Sequence, residues 1–253
     1  MIHKPTTEDF PCALDAEHYV MEVRLRRERV PSFDQYPYSL PALRDFERLA
    51  LHPAVTFLVG ENGSGKSTLL EAIATACGFN PEGGSKNFRF ATFASHSPLY
   101  EQLLLVKTHR RPRDGFFLRA ESFYNVATEV DALGVGDSYG GRSLHAQSHG
   151  EAFLSLMTHR FRGEAFYVLD EPEAALSPAR QLAMLARLHE LVKRRSQFIV
   201  ATHSPILLSY PDAWIYQIGE HGPERVRYED TEHYALTRSF LNSPQSFLRN
   251  LLD

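Results

Sequence analysis

Cysteine is scarce in this chain: Cys12 and Cys77 are the two present, 65 positions apart and in no metal or redox spacing. A disulfide scaffold is excluded. The chain reads as one for a reducing, cytosolic setting, with Cys77 as a small core residue at a helix end. Long apolar runs are missing too. Nothing approaches the roughly 20 residues of a membrane span, and the start Met1-Ile2-His3-Lys4-Pro5 has no apolar signal segment. Direct membrane insertion is not expected, so any membrane task would pass through a partner. Surplus positive charge is also lacking. At a net charge of −4, the whole chain makes no general case for nucleic acid or an anionic bilayer. Heptads, internal repeats and low-complexity tracts are absent. What remains is ordinary: 253 residues, 43% hydrophobic and 23% charged, enough for one large α/β domain or two small ones.

One stretch stands out. Gly60-Glu61-Asn62-Gly63-Ser64-Gly65-Lys66-Ser67-Thr68 fits G-x-x-x-x-G-K-[ST], the phosphate-binding P-loop. The apolar, β-branched-rich residues 54–59 before it read as a buried strand. Residues 68–77 after it read as a helix ended by Gly78. Gly60, Gly63 and Gly65 let the backbone turn tightly and meet an anion with no Cβ in the way. Successive N–H groups then cradle phosphates at the positive end of the helix. Lys66 is placed to reach the β- and γ-phosphates, and the Ser67 hydroxyl to ligate Mg2+.

Around that centre the chain punctuates itself. Residues 1–18 read as a loosely held lead-in. Residues 19–30 alternate as a half-exposed strand with Met21, Val23 and Leu25 on one face. Arg24, Arg26, Arg27 and Arg29 read as its solvated face, with a phosphate-binding patch as the alternative. Four prolines make residues 31–53 turns and short pieces. There, Tyr36 and Tyr38 suit stacking under adenine or covering a sheet edge equally well. Beyond the turn-rich residues 80–85, strands are expected at 88–93 and 115–120, helices at 97–107 and 122–133, a basic loop at 108–114 and a mobile glycine-rich loop at 131–141. Helical spacing returns at 151–161. Residues 165–169 and 197–201 read as buried strands around a helix over 179–195, whose apolar face carries Leu182, Leu185, Leu188 and Val192. A hairpin (214–218 with 224–228) and two short helices complete the pattern.

Four apolar strands with helical crossovers predict an α/β fold with a mainly parallel, doubly wound sheet, which binds ligands at its strands' carboxyl ends. Each polar cluster falls at such an end: the P-loop after residue 59, Asp170-Glu171 after 169, and His203 after 201. Asp170 is the expected Mg2+ carboxylate beside Ser67. Glu171 would face the γ-phosphate and polarise the attacking water.

GENGSGKST, VLDEPEAALSP and ATHSP resemble the Walker A, Walker B with D-loop, and switch-histidine motifs of ABC-type ATPases. The resemblance covers roughly residues 19–220. Within that superfamily it is similar to the soluble branch of SMC and double-strand-break-repair ATPases, OLD-like ATPase domains and compact AAA-family members. It implies an α/β P-loop NTPase fold with an N-terminal antiparallel portion, a single domain over 1–253, and a small helical lobe at about 79–150. It also implies ATP and Mg2+ as ligands, with His203 hydrogen-bonding the γ-phosphate alongside the catalytic Glu171 and Lys66. Gln147 to Glu151 stand where these ATPases carry their signature motif. Ser148 and Gly150 match it, while His149 and Glu151 depart. The family uses that helix N-terminus to cap the γ-phosphate on an opposite subunit, so an ATP-dependent homodimer is implied. Ser177 stands at the D-loop aspartate, and Glu121 is the stand-in for a Q-loop glutamine.

No long arm separates Lys66 from Gln147, 81 residues on, so the expectation is an arm-less head that passes its work to an unidentified protein partner. DNA repair or defence against foreign DNA is the expected setting, in the cytoplasm. The alternatives are the ATP-binding subunit of a membrane transporter, or a small-molecule kinase with residues 108–114 as its lid. Nucleic acid is a further candidate partner, through basic clusters at 24–29, 109–113 and 193–195 lining one surface.

Overall fold

A computed structural model describes residues 19–86, 97–121, 123–132, 134, 141 and 143–252. In chain order its strands are β1 (Val20–Leu25), β2 (Arg48–Ala50), β3 (Val55–Gly60), β4 (Leu103–Lys107), β5 (Asp114–Arg119), β6 (Ala165–Asp170), β7 (Gln197–Ala201), β8 (Trp214–Gly219) and β9 (Gly222–Val226). The helices are α1 (Pro41–Arg44), α2 (Lys66–Ala76), α3 (Phe123–Ala132), α4 (His149–Ser155), α5 (Pro178–Lys193), α6 (Pro205–Leu208), α7 (Glu232–Asn242) and α8 (Pro244–Leu252). The lead-in, the strand expected at 88–93 and most of the glycine-rich loop lie outside the described residues.

The main sheet runs β5-β6-β7-β3-β8-β9, parallel throughout except for β9. Its central strands β3, β6 and β7 are buried along their whole length, which is why they read as continuous apolar runs, whereas only Gly222 of the edge strand β9 is buried. Alternation still sorts the side chains. Phe57, Val59, Tyr167, Leu169, Phe198 and Val200 pack with α3, α4, α5 and α6. Leu58, Phe166, Val168, Ile199 and Ala201 pack on the other side with α2 and the smaller sheet. That second sheet, β2-β1-β4, is antiparallel.

Gln197 joins the two sheets. Its buried side chain accepts from the Tyr19 and Val20 amides at 3.0 and 3.1 Å and donates to the Val20 and His52 carbonyls at 2.8 and 3.0 Å. All four hydrogen-bonding positions of the amide are filled, as burial demands.

Three local expectations are corrected. Residues 97–107 were expected as a helix, but they form a short 3-10 turn (Pro98–Glu101) and then β4, because pairing with β1 decides what an apolar run cannot. β1 is mostly buried rather than half exposed, and Glu22 lies inside it with Arg24 as its ion-pair partner at 2.8 Å. On α5 the inward face is Met184, Leu188 and Leu191, flanked by Leu185 and Val192, whereas Leu182 is 59% exposed. The stretch 79–150, expected as a helical lobe, also supplies a strand to each sheet.

Candidate functional site

Register brings the polar clusters together. Ala201 pairs with Leu58 on β3 and with Asp170 on β6, so β3, β6 and β7 end side by side. The chain leaves them in step: the Thr202 amide donates to the Leu58 carbonyl at 3.1 Å and the Glu171 amide to the Ala201 carbonyl at 2.9 Å.

At the end of β3 the backbone turns through Gly63 and Gly65, both with left-handed φ (81° and 98°), and Gly65 caps the N-terminus of α2. L side chains resist that conformation, which fixes glycine there. Lys66 is buried, and its ammonium donates to the carbonyls of Gly60 and Glu61 at 2.7 and 2.8 Å. Burial pulls its pKa down, opposed by the carboxylates of Glu171, Asp170 and Glu173. Ser67, one residue into the helix, donates its hydroxyl to Asp170 Oδ1 at 3.0 Å.

Asp170 is 6% exposed. Desolvation pushes its pKa up to about 6, although the Arg119 guanidinium and the Ser67 hydroxyl pull the other way. Arg119 ends β5 in register with Asp170; its Nε lies 3.9 Å from Asp170 Oδ2 and its Nη1 donates to Glu71 on α2 at 2.6 Å. Glu171 follows with a left-handed backbone, φ 49° and ψ 52°, an unusual conformation for a non-glycine residue and a form of stored strain. It redirects the carboxylate to within 3.5 Å of His203 Nε2.

His203 is held on two further sides. Its amide donates to Glu173 Oε1 at 2.5 Å, and its Nδ1 lies 2.8 Å from His233 Nε2 on α7. Burial, Lys66 and His233 lower its pKa against the pull of Glu171. Glu61, Asn62, Glu171 and His203 line an open cleft of about 510 Å³.

Two protein-family models match the chain, one described as "AAA domain" over residues 33–114 and one as "AAA domain, putative AbiEii toxin, Type IV TA system" over residues 134–209. The first contains the P-loop, and the second contains Asp170, Glu171 and His203. The fold is α/β with a mainly parallel sheet and a P-loop between β3 and α2, and both matched models describe AAA domains. The chain is similar to the ABC transporter G family member STR2 of Medicago truncatula, at 24% identity over 223 residues, 80% of this chain and 30% of that protein. It is similar to UvrABC system protein A of Paucimonas lemoignei, at 34% identity over 110 residues, 41% of this chain and 16% of that protein. It thus spans less than a third of the length of either relative. Among solved structures, the SMC head domain from Thermotoga maritima is similar at 18% identity and TM-score 0.43, covering 83% of this chain and 98% of that one.

The signature-like residues make contacts of their own at the start of α4. Ser148 is exposed, and its amide and hydroxyl both donate to Glu151 Oε2, at 3.0 and 2.7 Å. Glu151 therefore serves a capping box, S-x-x-E, at the start of α4. Gly150 is buried, and a Cβ there would meet the Ala175 carbonyl at 2.6 Å, so close packing already requires glycine. His149, Glu121 and Glu171 border one cavity of about 270 Å³.

Other candidates are placed elsewhere. Tyr38 is buried and donates to Gln102 at 3.0 Å, while Tyr36 is exposed. Arg26 and Arg27 donate to the carbonyls of Glu101, Arg44 and Phe46, holding loops, and Arg24 pairs with Glu22. Clusters 109–113 and 193–195 do meet, through Arg113 N donating to Glu164 O (2.8 Å) and Glu164 N to Arg194 O (2.7 Å), at the amino ends of β5 and β6. Sequence reasoning missed Arg119, Glu173 and His233 as neighbours of the site. Arg119, ending a predicted strand, left a signal; His233 left none.

Proposed function

We propose that this chain binds ATP with Mg2+ across the carboxyl ends of β3, β6 and β7 and hydrolyses it to ADP and phosphate. The fold supports ATP binding and hydrolysis; the residue roles go further. The observation that carries them is the 3.0 Å Ser67–Asp170 hydrogen bond, set beside Glu171 and His203 at the mouth of one cleft.

Two hard oxygens, one on a buried carboxylate, suit Mg2+, which takes few protein ligands and completes its shell with phosphate and water. Among the described residues no three or more His, Cys, Asp or Glu could hold a metal by themselves. Held by Ser67 and Asp170, the ion would supply positive charge to neutralise the nucleotide's phosphates. Gly60 to Thr68 cradle the phosphates, and Lys66 exchanges the Gly60 and Glu61 carbonyls for phosphate oxygens. Glu171 orients and polarises the attacking water. His203 donates to a γ-phosphate oxygen. Glu171→Gln is expected to bind ATP and lose turnover; normal hydrolysis by that variant would overturn the assignment.

The exposed Ser148 and Gly150, in the first turn of α4, are proposed to cap ATP held by a second copy, giving an ATP-dependent homodimer that switches a protein partner, in DNA repair or defence, in the cytoplasm. Residues 1–253 are proposed to act as one ATPase unit. The joined clusters at 109–113 and 193–195 are the proposed nucleic-acid face, tested by salt-dependent binding to duplex DNA. An ATP-binding subunit of a transporter remains the second reading. No helix among the described residues is long and apolar enough to cross a membrane, so co-purification with a membrane protein is its test.

A further inference from the structure

His203 and His233 face each other across 2.8 Å through Nδ1 and Nε2. Burial lowers the pKa of both rings, so the pair is neutral near pH 7 and shares one N–H. Two arrangements exist. In the first, His233 Nε2–H donates to His203 Nδ1, which leaves His203 with its proton on Nε2. In the second, His203 Nδ1–H donates to His233 Nε2, which leaves His203 Nε2 bare and puts the other His233 proton on Nδ1.

The surroundings choose between them. His203 Nε2 lies 3.5 Å from Glu171 Oε1 and is otherwise unpartnered. A proton there faces a carboxylate favourably, whereas a lone pair would be repelled. His233 Nδ1 is buried with no partner. Leaving a lone pair unsatisfied is cheaper than burying an orphaned N–H donor. Both arguments favour the first arrangement.

We infer that His233 is a positioning residue that holds His203 in its Nε2–H tautomer, the form able to donate a hydrogen bond into the cleft. This rests on the proposal that His203 contacts the γ-phosphate. His233 is itself fixed. Thr231 is fully buried and accepts from the Tyr234 amide at 3.4 Å, capping α7. Tyr228 donates to the Pro205 carbonyl at 2.9 Å, tying the approach to α7 to the segment just after His203. The seating of α7 is thereby linked to the proton that meets the nucleotide.

The test has two readouts. In nucleotide-free protein with 15N-labelled imidazoles, long-range nitrogen–proton spectra are expected to show His203 protonated at Nε2 and bare at Nδ1, a pattern that becomes mixed in His233→Ala. A wild-type His203 protonated at Nδ1 overturns the inference. In turnover, His233→Ala is expected to lower kcat on the order of tenfold, the usual scale for losing a group that orients a working histidine. His233→Gln, which can place an amide N–H near the lost Nε2–H, is expected to restore most of it. His233→Ala is expected to have no further effect in a His203→Ala background. If His203→Ala lowers kcat and His233→Ala does not, the positioning role fails alone. If His203→Ala leaves turnover intact, the γ-phosphate role of His203 fails, and the spectra still decide the tautomer.

Discussion

Replacing Asp170 by asparagine removes a charge and keeps a shape. The carboxylate is 6% exposed, and desolvation lifts its pKa from 3.8 to about 6 against the opposing pull of Arg119 and Ser67. At about 1.4 kcal/mol per pH unit, that difference makes the ionised group a burden of about 3 kcal/mol on the nucleotide-free fold at pH 7. Asparagine still accepts from Ser67, but its NH2 faces Arg119, so the net gain expected for Asp170→Asn is about 1–3 kcal/mol. The sign follows from linkage: the folded state holds the Asp170 proton more tightly than the unfolded chain. The wild type therefore recovers stability as pH falls from about 6 toward 3.8, and the variant has nothing to recover. Urea unfolding in EDTA without nucleotide should show the variant ahead at pH 7.5, with the gap smaller by about 1.4 kcal/mol at pH 5. Adding Mg2+ and ATP should reverse the order, because only the wild type retains the anionic ligand, and the variant should lack Mg2+-dependent turnover. A variant no more stable than wild type at pH 7.5 would refute the claim that the fold holds this charge at its own expense for a cation.

Two further outcomes follow from the packing. Gln197→Leu removes four hydrogen bonds, from the amides of Tyr19 and Val20 and to the carbonyls of Val20 and His52; an expected loss of about 2–4 kcal/mol in urea unfolding follows, and a loss under about 0.5 kcal/mol would contradict the clamp. Burial pushes the Cys77 thiol up to about 11. In a Cys12→Ser background its maleimide labelling at pH 8 should be about 10- to 100-fold slower than that of free cysteine, and should recover in urea; labelling at the free rate would show that the thiol is not shielded.

The parts legible in the sequence carry their own local cause. The P-loop, its flanking β3 and α2, and the carboxylates at the end of β6 are written in glycine spacing and β-branched runs, which need no distant partner to be read. β4 was misread because Leu103-Leu104-Leu105-Val106 has no period of its own, and only its pairing with β1 makes it a strand. The order β6-β7-β3, which places Ala201 between Asp170 and Leu58, is a fact of assembly that no local pattern encodes. Gln197 and His233 are single polar residues whose partners lie far along the chain, so nothing beside them signals their role. Ser148-x-x-Glu151 could have been read as a capping box from spacing alone; instead Glu151 stood out as a departure from a family motif.

The central claim is that Ser67, Asp170, Glu171 and His203 form one hydrolytic site. Its most direct test is the identity of the nucleotide held after incubation with Mg2+ and ATP. Wild type and Glu171→Gln would be incubated with labelled ATP, stripped of free nucleotide, and their bound nucleotide analysed. The account predicts that the wild type yields ADP and free phosphate, while the variant retains intact ATP at comparable occupancy. Bound ADP in the variant at the wild-type rate would place the water-activating group elsewhere, and no bound nucleotide in either protein would remove the site itself.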